Sequence, residues 1–300
     1  MANARRFAMV QMDVFAARPL EGNPLAVFTD ARGLTDAEMQ SLAKEMNLSE
    51  TTFILPRDPA IERERGVRVR IFTVDEELPF AGHPTLGTAT VIRLAQGLQD
   101  GRDEVRLDLN VGLIPVQFTT DASSQLFGEM RQRDPEFGKT HAAADIAALA
   151  GLAPGDIDNA APIQTVSTGV PFTIVPVRRL ETIRHLRLDL GRAAEYGARS
   201  DAQFFYFVCR ETVNHTARLH ARMLFYNGED PATGSAAGCA AAWMAAHGVA
   251  ESGERVLIEQ GLECRRPSEL WVTAERSGGG VVNVRVGGNA VEVAQGEVFI

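Results

Sequence analysis

Lysine is almost missing from this chain of 300 residues. Among its 30 basic residues only Lys44 and Lys139 are lysines, and the rest are arginines. A pyridoxal or Schiff-base enzyme needs a lysine amine, so that class fits poorly. Cysteine is scarce as well: Cys209, Cys239 and Cys264 are an odd number with no CxxC pair. This suits a reducing compartment rather than a disulfide framework. No apolar run approaches the roughly 20 residues that a membrane span needs. Met1 to Phe15 carries Arg5 and Arg6 but no apolar stretch behind them, so it does not read as a secretory signal. Excess positive charge is lacking too. The net charge of −9 is the wrong sign for a surface that holds nucleic acid or anionic lipid. The expectation is a cytoplasmic protein with neither nucleic acid nor membrane as partner.

Nucleotide signatures are also wanting. No GxGxxG follows the first strand signal. Gly234-Ser235 imitates the end of a phosphate loop, but the lysine before the serine is missing. His215 and His220 are five apart, which would put them on opposite faces of a strand. Neither a metal nor an organic cofactor is expected.

What is present is ordinary globular material, 45% hydrophobic and 23% charged. The length suggests two domains. Residues 7–15, 25–28, 51–55 and 67–73 read as strands. Thr35 with Glu38 forms a capping box ahead of a stripe of Met39, Leu42, Ala43 and Met46, with Asn47 as the stop. Residues 81–89 read as a Gly/Pro loop entering a helix that ends near Gly97. Residues 104–109 and 113–118 are strand-like, and 119–140 is the best candidate for a linker. After a short helix at 143–152, strand signals return at 165–177, 203–208 and 217–225. Residues 229–236 form a second loop entering a helix, to about His247. Strand signals at 256–260, 270–274 and 281–286 follow.

Two of these loops match. His83-Pro84-Thr85-Leu86-Gly87-Thr88-Ala89 aligns with Asp230-Pro231-Ala232-Thr233-Gly234-Ser235-Ala236 at an offset of 147. The same offset carries Gly22-Asn23-Pro24 onto Gly169-Val170-Pro171. Two anchors sharing one offset imply a duplicated domain. Each half places a Gly-containing loop before a helix, whose free N–H groups and dipole favour an anion. Taken singly, Gly87 and Gly234 are loop glycines and Thr88 and Ser235 are N-caps. Taken as a pair, they point to one small carboxylate-bearing ligand between two helix N-termini.

These residues resemble the PhzF (phenazine-biosynthesis-like) family. The resemblance rests on Gly22-Asn23-Pro24-Leu25-Ala26-Val27, on residues 45–53 from Glu45 to Phe53, and on Phe80-Ala81-Gly82-His83-Pro84. It extends through Ser167-Thr168-Gly169-Val170-Pro171-Phe172, Asp230 to Ser235, and Glu259-Gln260-Gly261. It implies an α+β fold of two pseudo-symmetric halves, each a mostly antiparallel sheet wrapped around a central helix, as in diaminopimelate epimerase. It places the active site in the cleft between the halves and suggests a homodimer. The halves are expected at 1–125, with a returning strand at 289–300, and at 126–288.

The resemblance assigns catalysis to Glu45, His83 and Asp230. One carboxyl can move a proton from carbon to carbon if partial burial raises its pKa towards neutrality. Without the resemblance, Glu45 reads as an exposed carboxylate in a last helical turn, where the dipole opposes it. His83 and Asp230 are equivalent under the offset, although a histidine beside a Pro turn is commonly structural and Asp is a common turn former. Asn23, Gly82, Gly87, Thr88, Gly234 and Ser235 are the expected substrate-binding residues. Lys44 should face solvent. Related epimerases use a cysteine from each half. The first loop here has none, and Cys239 lies within the second helix as a packed residue. The leading expectation is an isomerase acting on a dihydro-hydroxyanthranilate-like ring. An epimerase of an amino-acid derivative and a binding protein that kept only the fold are the alternatives.

Overall fold

The computed structural model describes residues 4–97, 103–120, 125–225 and 228–300. The chain divides into two compact units, one of Met1–Met130 with Gly287–Ile300 and one of Arg131–Val286.

The first unit runs β1 (Arg6–Val14), β2 (Asn23–Phe28), α1 (Asp36–Met46), β3 (Thr51–Leu55), α2 (Pro59–Arg65), β4 (Val67–Phe72) and β5 (Glu77–Leu78). It continues with α3 (Gly82–Gln96), β6 (Glu104–Leu109), β7 (Gly112–Thr120) and β8 (Leu126–Arg131). In its sheet β2 pairs antiparallel with β1 and parallel with β3, and β3 pairs antiparallel with β4. β4 takes β5 antiparallel and β6 parallel, and β6 pairs antiparallel with β7.

The second unit holds β9 (Glu136–Thr140), α4 (Ala143–Leu149), β10 (Gln164–Ser167), β11 (Pro171–Val177), α5 (Leu180–His185), α6 (Leu190–Gly197), β12 (Phe204–Cys209) and β13 (Ala217–Phe225). Then come β14 (Gly228–Asp230), α7 (Gly234–Ala246), β15 (Val256–Gln260), β16 (Ser268–Ser277) and the start of β17 (Gly280–Phe299). Its pairings repeat those of the first unit. β11 pairs antiparallel with β10 and parallel with β12, and β12 pairs antiparallel with β13. β13 takes β14 antiparallel and β15 parallel, and β15 pairs antiparallel with β16. The later part of β17 pairs antiparallel with β1, from Val14 against Ala290 to Arg6 against Phe299.

Each sheet surrounds one helix. Every residue from Gly82 to Arg93 of α3 is buried, as are Gly234 and Ala236–Ala245 of α7. A helix buried on all sides belongs inside a sheet rather than on its surface. α7 is built largely of Ala and Gly, which lets strands approach its axis closely. Outer helices cover the opposite sheet face. In the first unit α1 buries Met39, Leu42 and Ala43 against Phe28, Phe53 and Phe72. Phe28 and Phe53 stack at 4.9 Å, and Phe72 meets Phe53 edge-on. In the second unit Ile146, Ile183 and Ala193 from α4, α5 and α6 pack on Phe205 and Phe207. Each buried aromatic of this kind contributes about 1.5–3 kcal/mol.

The α1 reading holds in detail. Thr35 accepts from the Glu38 N–H, Glu38 Oε2 accepts from the Thr35 N–H at 2.8 Å, and Asn47 ends the helix at φ 52°. Other expectations change. The stretch 119–140 is not a plain linker: it carries the end of β7 together with β8 and β9, while residues 121–124 lie outside the described ones. His215 sits in the turn before β13 rather than on a strand with His220.

Candidate functional site

The Gly22-Asn23-Pro24 motif enters β2 through a tight corner. Gly22 has φ +67°, and a Cβ there would lie 2.4 Å from the Val14 carbonyl, so only glycine fits. The corner is held by Asp13 Oδ2, which accepts from the Leu20 N–H at 2.6 Å. It delivers Asn23, fully buried, to His83 in the first turn of α3.

His83 is 4% exposed. Its Nδ1 lies 3.3 Å from Asn23 Nδ2 and 3.4 Å from Glu50 Oε2. Burial is the dominant influence on the ring. It pushes the pKa down to about 3 against the weaker pull of the Pro24 carbonyl. His83 is therefore neutral near pH 7, and the Glu50 contact is not an ion pair. His83 Nε2 is buried and has no hydrogen-bond partner among the described residues.

The helix around His83 begins earlier than the sequence suggests. Ala81 is its N-cap, with no side-chain cap, and Gly82, His83 and Pro84 form the first turn. Proline is tolerated there because that N–H has no intrahelical partner. Gly87 and Thr88 are thus inside α3, not at its N-terminus, which corrects the expected helix start. A Cβ on Gly87 would meet Leu25 and Val14 side chains. Thr88, fully buried, donates to Thr52 Oγ1 at 2.8 Å.

Glu45 lies in the last turn of α1 and is exposed, as is Lys44 beside it. No other described residue makes a hydrogen bond or ion pair with the Glu45 side chain. The partial burial expected for it is absent from the chain on its own.

In the second unit Asp230 ends β14 at 8% exposure. Its Oδ2 accepts from the Thr233 hydroxyl at 2.6 Å. Thr233 is the N-cap of α7, yet its side chain makes no capping bond to the helix. Gly234 and Ser235 open α7, and Ser235 is half-buried. The Gly234 carbonyl accepts from Gln132 Nε2 at 3.0 Å. Gln132 Oε1 in turn accepts from Thr168 at 2.6 Å.

Cys239 is fully buried in α7, 3.5 Å from Thr168 Oγ1, and burial pushes its thiol up to about 11. It is a packed residue, as expected, and is far from the thiolate that an epimerase needs near pH 7. Among the described residues no group of three or more His, Cys, Asp or Glu side chains is placed to hold a metal ion. No described helix is long and apolar enough to cross a membrane.

Sequence reasoning missed Glu50, Gln132, Tyr206 and Gln260. Glu50 and Gln260 stood inside the quoted motifs, residues 45–53 and Glu259-Gln260-Gly261, the one signal that could have found them. Gln132 and Tyr206 became visible only through their contacts in the fold.

Known proteins place this arrangement. The family model for phenazine biosynthesis-like protein matches residues 12–296. The chain belongs to the PhzC-PhzF family. It is 40% identical over 299 residues to an uncharacterized isomerase of Mesorhizobium japonicum, covering 96% of this chain and 97% of that one. It is 33% identical over 296 residues to the trans-2,3-dihydro-3-hydroxyanthranilate isomerase of Pseudomonas aeruginosa, covering 97% and 99%. The PhzF-family phenazine biosynthesis protein of Bacillus anthracis superposes with a TM-score of 0.87 at 28% identity, over 99% of this chain and all of that one. The PhzF fold is the expected α+β, diaminopimelate-epimerase-like one, and the chain is a PhzF-like isomerase.

Proposed function

We propose that this isomerase moves a proton between carbons of a small carboxylate-bearing ring, of the trans-2,3-dihydro-3-hydroxyanthranilate type. The observation that carries this reading is His83 Nε2, a buried, uncharged ring nitrogen without a hydrogen-bond partner among the described residues. Buried polar atoms are normally satisfied, and a substrate would satisfy this one.

Glu45 takes the proton as a base and returns it as an acid to a second carbon. In the free chain it is exposed, so the desolvation that raises a carboxyl pKa has to come from the bound substrate. His83 and Asp230 hold and polarise the ring. Asn23 and Gly82 support His83. Gly234 and Ser235 offer the α7 N-terminus to the carboxylate. Gly87 and Thr88 contribute to this site only through packing. Cys239 speaks against a thiol-based epimerase.

The test is turnover in deuterated water. Wild type should place at most one solvent deuteron in the product, at the carbon that Glu45 reprotonates, in the measure that the Glu45 carboxyl exchanges with solvent before it delivers the proton. Glu45→Gln should lose at least about a hundredfold in rate, and full isomerisation by that variant would overturn the mechanism. The reading includes a cytoplasmic homodimer, for which sedimentation of the purified protein should give twice the chain mass.

A further inference from the structure

One side chain organises the start of α7 and the carboxylate next to it. Gln260 ends β15 and is fully buried. Its Nε2 donates to the Asp230 main-chain carbonyl at 2.8 Å and to Thr233 Oγ1 at 3.0 Å. Its Oε1 accepts from the Thr233 N–H at 3.2 Å and from the Tyr206 hydroxyl at 2.9 Å. An amide has two donors and two acceptor sites, and all four are used. The Asp230 carbonyl can only accept and the Thr233 N–H can only donate, which fixes the amide's orientation.

That orientation has a direction. A threonine hydroxyl carries one proton. Because Thr233 Oγ1 accepts from Gln260, its own proton goes to Asp230 Oδ2, at 2.6 Å. The same bonds turn the Thr233 oxygen away from α7, so the N-cap residue does not cap. The strand end is pinned as well. Gly261 has φ +80°, and a Cβ there would lie 2.6 Å from the Pro231 carbonyl.

We propose that Gln260 is a positioning residue for the isomerase. Through Thr233 it aims the Asp230 carboxylate, and it keeps the first N–H groups of α7 free for an anionic substrate group. The proposal rests on the assignment of Asp230 to the active site.

The experiment compares Gln260→Met, Thr233→Val, Thr233→Ser and Asp230→Asn, using trans-2,3-dihydro-3-hydroxyanthranilate as the probe, with a crystal structure of Gln260→Met. In that structure the Thr233 hydroxyl should leave Asp230 and cap α7. Gln260→Met and Thr233→Val should each lower kcat/KM roughly tenfold or more, the scale of one lost bond to a charged group. Thr233→Ser, which keeps the hydroxyl, should stay within about threefold of wild type, and Gln260→Met combined with Thr233→Val should lose no more than the worse single one, because both act in one chain of bonds.

An unmoved Thr233–Asp230 bond in Gln260→Met would overturn the proposal. So would wild-type kcat/KM in Thr233→Val. If Gln260→Met does not fold, the contrast between Thr233→Val and Thr233→Ser decides. Wild-type activity in Asp230→Asn would instead sink the site assignment. An inactive Asp230→Asn beside active Gln260→Met and Thr233→Val would remove only the role of Gln260.

Discussion

His220 Nδ1 lies 2.8 Å from Glu259 Oε1, and neither side chain is more than 4% exposed. Glu263 Oε1 sits 3.3 Å from the other ring nitrogen. Glu259 also accepts from the Val213 and Asn214 N–H groups, both at 2.7 Å. Burial opposes charge on the ring, but the two carboxylates outweigh it and raise the His220 pKa above its ordinary 6.5. Burial likewise opposes charge on Glu259 and Glu263, yet the bonds they receive hold both below the ordinary 4.5. The raised ring stabilises below 6.5 and loses this as pH rises through its folded value. The lowered carboxylates stabilise above 4.5 and lose this as pH falls. The cluster therefore contributes most between about 4.5 and 6.5. His220→Asn should cost about 3–5 kcal/mol in that window, with a smaller cost at pH 9. Thermal melts at both pH values check this, and a cost independent of pH would contradict it.

His83 behaves in the opposite way. With its folded pKa pushed down to about 3, it binds its proton in the unfolded chain first. Its contribution to stability is lost as pH falls below 6.5, by up to about 1.4 kcal/mol per pH unit. His83→Gln should remove this part of the slope in urea titrations. Nitrogen NMR of the folded wild type should show the ring neutral from about pH 5 to 8. A ring titrating near 6.5 would refute the assignment.

Thr88 and Thr52 form a buried hydroxyl pair. Thr88→Val leaves the Thr52 hydroxyl without its partner and should cost about 1–3 kcal/mol. Adding Thr52→Val should recover much of that loss, because an apolar pair replaces an orphaned polar group. Equilibrium unfolding of both singles and the double variant measures this. Losses that simply add would count against it.

Gly87→Ala tests whether this glycine serves packing. Its Cβ would come within 2.6 Å of Leu25 Cδ2 and 2.7 Å of Val14 Cγ2. Overpacking of this degree should cost about 1–3 kcal/mol, read as a lower melting temperature. An unchanged melting temperature would show that the two side chains move aside freely.

Local signals were the legible ones. Thr35, Glu38 and Asn47 mark α1 because capping is chemistry between near neighbours in sequence. The start of α3 was harder, because Ala81 supplies no capping side chain and Gly87-Thr88 imitates a start five residues later. Strand β9 was invisible because all of Glu136–Thr140 is exposed and carries no alternation. Short helices such as α5 and α6 bury one residue each, Ile183 and Ala193, too few for a periodic stripe. At the site, His83 and Asp230 emerged from the repeat. The bonds of Gln260 did not, since they depend on where β12, β14 and β15 meet.

Strand β17 carries a consequence for how the molecule is made. β1 is flanked by β2 and by residues 290–299. During synthesis β1 emerges early, then waits with one edge open until those residues follow. By that time every residue of the second unit has already been produced. Until residues 290–299 pair with β1, the first unit holds an unpaired edge, the kind of surface that chaperones shield. The half begun first is the half completed last.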